Sequence, residues 1–169
     1  MNNEPKLFRI PYNINRKMEG KEICGVKYVK KIFVIHERSV EGVFPIFNGI
    51  KITLSKDMDS LYFDLGNTDN KFYNGTMLEA TKALAIMLEN NPQLKESFTE
   101  QQLKDIYELK KKITGKTWHH YEELSKDGCP IMQLVDEDQH SMCSHTGGSY
   151  TWNIKKFQNK YGEEWENAK

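Results

Sequence analysis

An α+β fold is the class this sequence predicts, and three observations predict it. Residues 21–54 carry β-branched and aromatic side chains in strand-length runs, with Asn48-Gly49 as a turn signal between two of them. Residues 76–109 instead place apolar side chains at three- and four-residue spacing, the period of an amphipathic helix. Residues 117–145 return to strand-type runs, end in a helix-start signal, and hold four of the five histidines. The order there is strand, strand, helix, with imidazoles at both ends.

A chain of 169 residues is long enough for a real core and short enough for one domain. Lys plus Arg and Asp plus Glu both number 24, so the net charge is zero, which argues against a generic polyanion binder. The charge is unevenly spread. Residues 1–117 hold 19 basic and 15 acidic side chains, and residues 118–169 hold 5 and 9. A grip on phosphates would therefore come mainly from the first part. The three cysteines, Cys24, Cys129 and Cys143, show no paired spacing and imply no disulfide framework. No apolar run reaches signal-peptide or transmembrane length, so export would need other machinery.

Residues 1–20, with Pro5, Pro11 and several Asn, read as an irregular arm; Arg9, Arg16 and Lys17 are either solvated or phosphate contacts. Residues 21–75 form the β-rich part. One or two strands are expected over 21–36, with His36 structural or exposed. Glu41–Phe47, interrupted by Pro45, suits an edge strand or a bend. Asn48-Gly49 would turn the chain into Ile50–Leu54, the return strand of a hairpin. Residues 55–75 read as loop; their four Asp fit no EF-hand spacing.

Two scaffold helices should occupy residues 76–113. The first carries Met77, Leu78, Ala80, Ala83, Leu84, Met87 and Leu88 and stops before Pro92. The second opens at a Thr99–Gln102 capping box, and its stripe is Leu103, Ile106, Tyr107 and Leu109. Lys110, Lys111, Lys112 and Lys116 have two readings: a solvated helix end favoured by the helix dipole, or a phosphate contact. Gly115 is placed to stop the helix and start the next strand.

Residues 117–148 hold the candidate site. Trp118 should be an apolar anchor. His119 and His120 are adjacent, so on a strand they face opposite sides and cannot do the same job. Tyr121 to Gly128 read as a polar loop, Met132–Val135 as the second strand, and Gln133 as either a loop-tying amide or an exposed strand residue. Asp136 caps a helix with Gln139 at its third position, which puts His140 in the second turn. His145, five residues later, is about 140° round an ideal helix from His140. The helix must therefore end first, and Gly147-Gly148 would serve as the stop. Cys143 is a competing ligand, and Cys129, His140, Cys143 and His145 could form a structural zinc site instead. Residues 151–168, around Trp152, Phe157, Tyr161 and Trp165, suggest a final helix.

Taken together, Trp118-His119-His120, then Met132-Gln-Leu-Val135, then His140, then His145-Thr-Gly-Gly148 resemble the WHH branch of the HNH/endonuclease VII superfamily, found as toxin domains of colicin-like bacterial toxins. The likeness extends upstream through Gly42–Phe47, Asn91-Pro92 and Phe98–Gln101, and covers about Gly20 to Gly148. Two departures exist, Thr114-Gly-Lys-Thr117 before the block and the tail after Gly148; neither touches a ligand position. The resemblance implies a ββα-metal finger in the C-terminal half. His119, His140 and His145 would bind a divalent metal, His120 would act as general base, and Gln133 would tie down the loop that holds the base. An all-imidazole site suits zinc or another late transition metal, with Mg²⁺ or Mn²⁺ open for activity. The implied function is a metal-dependent endonuclease, with DNA favoured, delivered by a secretion system into the target-cell cytoplasm and countered by an immunity protein. A metal-dependent RNase toxin has the same residues. A non-catalytic zinc-binding interaction module would keep the metal without cleavage.

Overall fold

The computed structural model describes residues 7–9, 14–66, 69–145 and 147–153. Strands β1 (Leu7–Arg9), β2 (Glu22–Ile23), β3 (Val26–Ile35) and β4 (Arg38–Ile46) form one sheet in the order β1-β4-β3-β2. Strands β5 (Lys51–Thr53), β6 (Lys116–Leu124) and β7 (Pro130–Asp136) form a second, antiparallel sheet in the order β5-β7-β6. Helices α1 (Met58–Leu65), α2 (Asp69–Asn90) and α3 (Glu100–Tyr107) lie between β5 and β6 in the chain, and short α4 (Glu137–Met142) and α5 (Gly148–Thr151) follow β7. The mixed helix-and-sheet composition is the α+β class expected.

Several local expectations are corrected. The 1–20 segment, read as an irregular arm, contributes β1, which pairs in parallel with Ser39–Glu41 of β4, and a 3-10 turn at Ile14–Met18. The β-hairpin is β3–β4, closed at His36-Glu37, both with positive φ (51° and 63°), the backbone of a two-residue primed turn. No glycine marks that turn, so it was invisible in the sequence. Asn48-Gly49 closes no hairpin; β5 leaves for the other sheet and pairs with β7. Gly49 is needed for closeness instead, because a Cβ there would sit 1.8 Å from the Leu134 carbonyl oxygen. Pro45 lies beyond the part of β4 that β1 covers, so its missing N–H breaks no ladder on that side.

Residues 55–75 are largely helical rather than loop. Asp57 caps α1 by accepting from the Ser60 amide at 2.8 Å, and α2 begins at Asp69, a full two turns before the apolar stripe. The Thr99 capping box forms as expected, with Gln102 N to Thr99 Oγ1 at 3.1 Å and Thr99 N to Gln102 Oε1 at 3.0 Å. In α3 Ile106 is buried, but Tyr107 and Leu109 are exposed and Asp105 is buried in their place. Asp105 accepts from the Thr114 amide and hydroxyl and so fastens the helix to the approach of β6. Leu109, at φ 57°, makes the left-handed residue after α3; Gly115 serves only the turn into β6.

The main core joins Phe33, Ile35, Val40 and Phe44 to Ile52, Trp118, Met132 and Leu134, with Ala80, Leu84 and Leu88 of α2 across them. A second cluster holds Val26, Tyr28, Val43, Phe47, Val135 and Cys143. In β3 the buried positions switch from Val26 and Tyr28 to Phe33 and Ile35, a change of phase in a period-two pattern. One end of the hairpin therefore buries one face and the other end the opposite face. That switch leaves Val29, Ile32 and Val34 exposed. It also brings the Tyr28 end of the hairpin against the segment after α4. Of the expected final helix, Trp152 is buried in the main core; residues 154–169, with Phe157, Tyr161 and Trp165, lie outside the described residues.

Candidate metal centre

The His pair sits inside β6 and does not close it. His119 is opposite Gln133, and His120 is opposite Met132. The strand runs on to Leu124 through a register shift after His120, so Tyr121–Leu124 belong to β6 and the turn begins at Ser125. Alternation then separates the neighbours. Trp118 faces α2, fully buried, and its indole N–H donates to Thr81 Oγ1 at 3.0 Å. His119 faces the other way, 3% exposed, against Phe47.

Asp136 accepts from the Gln139 amide at 3.0 Å and starts α4, which carries His140. The helix ends at Met142, and Cys143 is extended (φ −104°, ψ 94°). Gly147-Gly148 is not the stop. A Cβ on Gly147 would lie 3.0 Å from the His120 carbonyl and 3.3 Å from ring atoms of both His119 and His145; one on Gly148 would meet the Tyr121 carbonyl at 2.5 Å. The two glycines therefore permit the chain after His145 to lie directly on β6. The Tyr28 hydroxyl donates to the Ser144 carbonyl at 2.8 Å, and Cys143 is buried beside it, so this segment is anchored before His145 is presented.

His119, His140 and His145 come together: one ring nitrogen from each lies within 4.8 Å of the others. Their ring centroids are 4.7 to 5.5 Å apart, and Phe47 packs against all three at 4.9 to 5.6 Å. Gln133 is buried, not an exposed strand residue. Its Nε2 donates to the carbonyls of Phe47 (2.9 Å) and Gly49 (3.3 Å), which places Phe47. The loop it ties is thus the β4–β5 connection, not the one beside the His pair. His145 Nδ1 is 2.7 Å from the Cys143 carbonyl. A carbonyl only accepts, so Nδ1 carries the hydrogen and Nε2 keeps its lone pair.

All three imidazoles are held neutral. Burial pushes His119 well below the ordinary histidine value, with His145 and His140 adding repulsion. Burial and His145 push His140 down to about 4. Burial lowers His145 as well, against the pull of the Cys143 carbonyl. Neutral imidazole is the metal-ligating form, so the three nitrogens could together hold a metal ion. Zinc, with bonds to nitrogen of about 2.0–2.1 Å, would draw these nitrogens closer than the 4.8 Å within which they lie. Neither Cys129 nor Cys143 joins the group; Cys143 Sγ points to the Ile23 carbonyl.

His120 lies among α2 and α5 residues. Its Nε2 is 3.0 Å from Thr76 Oγ1, and its ring packs on Tyr73 (4.7 Å) and Trp152 (5.4 Å). Burial pushes it down to about 4, the Tyr73 backbone pulling the other way. Two residues on, Glu122 is buried and pushed up to about 7 by burial, with Lys31 Nζ at 3.7 Å as the opposing charge.

The expected phosphate contacts are not gathered at the imidazoles by any contact among the described residues. Lys110 pairs with Asp105 and Glu108, Lys111 with Asn74, and Lys112 with Glu137. Lys116 is half-buried on β6 and Arg16 is exposed. The side chain of Arg9 lies outside the described residues. Sequence reasoning missed four residues: Phe47, Tyr28, Tyr73 and Thr76. Phe47 stands at the end of the apolar run quoted for the resemblance; the others carried no signal, because their partners are 44 to 116 positions away.

A family model, Colicin-DNase, the DNase/tRNase domain of colicin-like bacteriocin, matches residues 36–147. The chain belongs to this family. The Colicin-DNase match takes in β4 through His145, and so all three clustered imidazoles, His120 and Gln133. Membership makes the chain a nuclease toxin domain of the colicin type, with nucleic acid as its substrate and an immunity protein as its partner. Among curated proteins and solved structures, nothing matches this Colicin-DNase chain significantly. Among the described residues, no helix is long and apolar enough to cross a membrane.

Proposed function

We propose that the chain is a metal-dependent endonuclease of the HNH type, cutting DNA in the cytoplasm of a target cell, with β6, β7 and α4 as its ββα-metal finger. The observation that carries this reading is the convergence of His119 of β6, His140 of α4 and His145 of the segment after α4, with a fourth imidazole next to the first. His119, His140 and His145 would hold the ion, zinc or another late transition metal being best suited to three nitrogens. A divalent ion held there would stabilise the charge that grows on the phosphate and on the departing oxygen.

His120 does separate work. It is neutral at pH 7, as a general base must be. It takes a proton from the attacking water while the water oxygen bonds to phosphorus and the bond to the leaving sugar oxygen breaks. The products are one phosphomonoester end and one hydroxyl end, the leaving oxygen taking its proton from solvent. Gln133 acts through Phe47 and positions rather than reacts.

DNA stands ahead of RNA because the Trp-His-His and His-Thr-Gly-Gly blocks resemble the WHH branch, while the family description spans both DNase and tRNase. The deciding assay incubates the purified protein with plasmid DNA and with total RNA, each with Mg²⁺, Mn²⁺, Zn²⁺, Ni²⁺ or chelator. Metal-dependent nicking of DNA is expected. Cleavage of RNA alone would move the reading to an RNase toxin. Zinc binding without any cleavage would move it to an interaction module.

A further inference from the structure

The buried Thr76 of α2 has no part in the reading above, yet its hydroxyl touches the ring that reading makes the base. Thr76 is 0% exposed. Its Oγ1 donates to the Tyr73 carbonyl at 2.9 Å and lies 3.0 Å from His120 Nε2. A hydroxyl has one hydrogen. With that hydrogen on the Tyr73 carbonyl, Oγ1 can only accept from the imidazole. We propose that Thr76 is a positioning residue for the reaction: it holds His120 in the tautomer with hydrogen on Nε2, which leaves the lone pair on Nδ1 as the basic atom.

Two further observations agree. The Tyr73 backbone also bonds to this imidazole, and a carbonyl can only accept, so the ring is a donor on its α2 side. Tyr73 and Trp152, in contact with each other, both pack edge to face on adjacent sides of the ring and limit how far it can swing. In the other tautomer Nε2 would need a donor, Thr76 would have to give up the Tyr73 carbonyl, and the only lone pair would be capped by a hydroxyl. A base so capped takes no proton from water. The hydroxyl on α2 therefore selects which nitrogen of a residue 44 positions away does the chemistry.

This inference rests on His120 being the base, and its test separates the two ideas. Nitrogen NMR of the wild-type protein, with zinc bound, reports which His120 nitrogen carries hydrogen and needs no activity. Hydrogen on Nε2 is expected; hydrogen on Nδ1 overturns the proposal even if DNA is cut. Thr76→Val keeps the shape and removes the hydroxyl, and Thr76→Ser keeps the hydroxyl. For Thr76→Val, kcat on plasmid DNA should fall about 10–100-fold, the range for a partner that orients an imidazole, with KM and zinc affinity unchanged. Thr76→Ser should restore kcat to within a few-fold of wild type. Parental kcat in Thr76→Val, or a Ser variant as slow as the Val variant while equally folded, overturns it. A wild-type protein that cuts no nucleic acid but shows the Nε2 hydrogen sinks the nuclease reading and leaves the hydrogen bond standing.

Discussion

Replacing Gln133 by Leu removes an amide from the middle of β7 at nearly constant volume, so no cavity follows. The loss is in hydrogen bonding. Gln133 Nε2 serves the Phe47 carbonyl at 2.9 Å, in a buried setting, and the Gly49 carbonyl at 3.3 Å, in a partly buried one. Each bond is worth about 1 kcal/mol net, and a buried carbonyl left without a donor costs about 1–3 kcal/mol more. Together, Gln133→Leu should lose about 3–5 kcal/mol, or roughly 8–16 °C in Tm for about 4 kcal/mol in a domain of this size. The effect should not stop at stability. Phe47 is the ring that all three clustered imidazoles touch, and loosening its backbone loosens their packing. Zinc affinity should fall about 10–100-fold, as for loss of other supports behind metal-ligating imidazoles. Urea unfolding followed by the fluorescence of buried Trp118 and Trp152, and zinc titration by calorimetry, measure the two effects. A Gln133→Leu variant within about 0.5 kcal/mol of wild type with unchanged zinc affinity would refute the link between Gln133, Phe47 and the site.

Three more outcomes are expected. His120→Ala should cost about 10²–10⁴ in cleavage rate while zinc titration stays normal, and His119→Ala should lose the metal as well; the reverse pattern would mean the roles are exchanged. The metal-free protein should lose stability in acid, because His119, His120, His140 and His145 are all lowered from the ordinary value of 6.5 by burial. Their contribution is complete above pH 6.5 and is lost as pH falls towards 4; His120 alone accounts for about 3 kcal/mol of it, and flat urea midpoints between pH 7 and pH 4.5 in chelator would contradict this. Lys111→Ala with Lys112→Ala should leave cleavage within about twofold and the salt dependence of DNA binding unchanged, since Asn74 and Glu137 already engage the two ammonium groups; a slope lower by about 1 per lysine would reinstate them as phosphate contacts.

What could be read from the sequence was local. The Thr99 capping box, the Asp136 cap, and the rule that His140 and His145 cannot share one helix all follow from residues a few positions apart, and all three hold. The partition of strands between two sheets was not legible. Asn48-Gly49 signals a turn, and Gly49 is there for its closeness to Leu134, 85 positions later. The true hairpin turn, His36-Glu37, uses left-handed residues without glycine, so no signal marked it. The Asp-rich 55–75 stretch reads as loop because one Asp serves as a cap and helix α2 extends well before its apolar stripe. Among the site residues, the His spacing was readable because the elements are consecutive. Gln133 was left open between two readings because its acceptors are 84 and 86 positions upstream.

The Tyr28-to-Ser144 hydrogen bond bears on where a working fragment of this chain can begin. The family match starts at residue 36, just after β3, and a truncation designed on that boundary would look conservative. It would delete Val26 and Tyr28, the wall that buries Cys143, and the hydroxyl that holds the Ser144 carbonyl. It would also strip β4 of its partner along its whole length, from Arg38 to Ile46, and leave the Phe47 end of that strand without a sheet. The imidazole cluster would survive on paper with every histidine present, yet His145 would hang from an unsupported tether. Tyr28 is buried and its hydroxyl pushed up to about 12, so it remains a donor throughout the pH range in which a cell could use it. The smallest portable unit therefore starts upstream of Glu22, at the strand pair that no histidine belongs to.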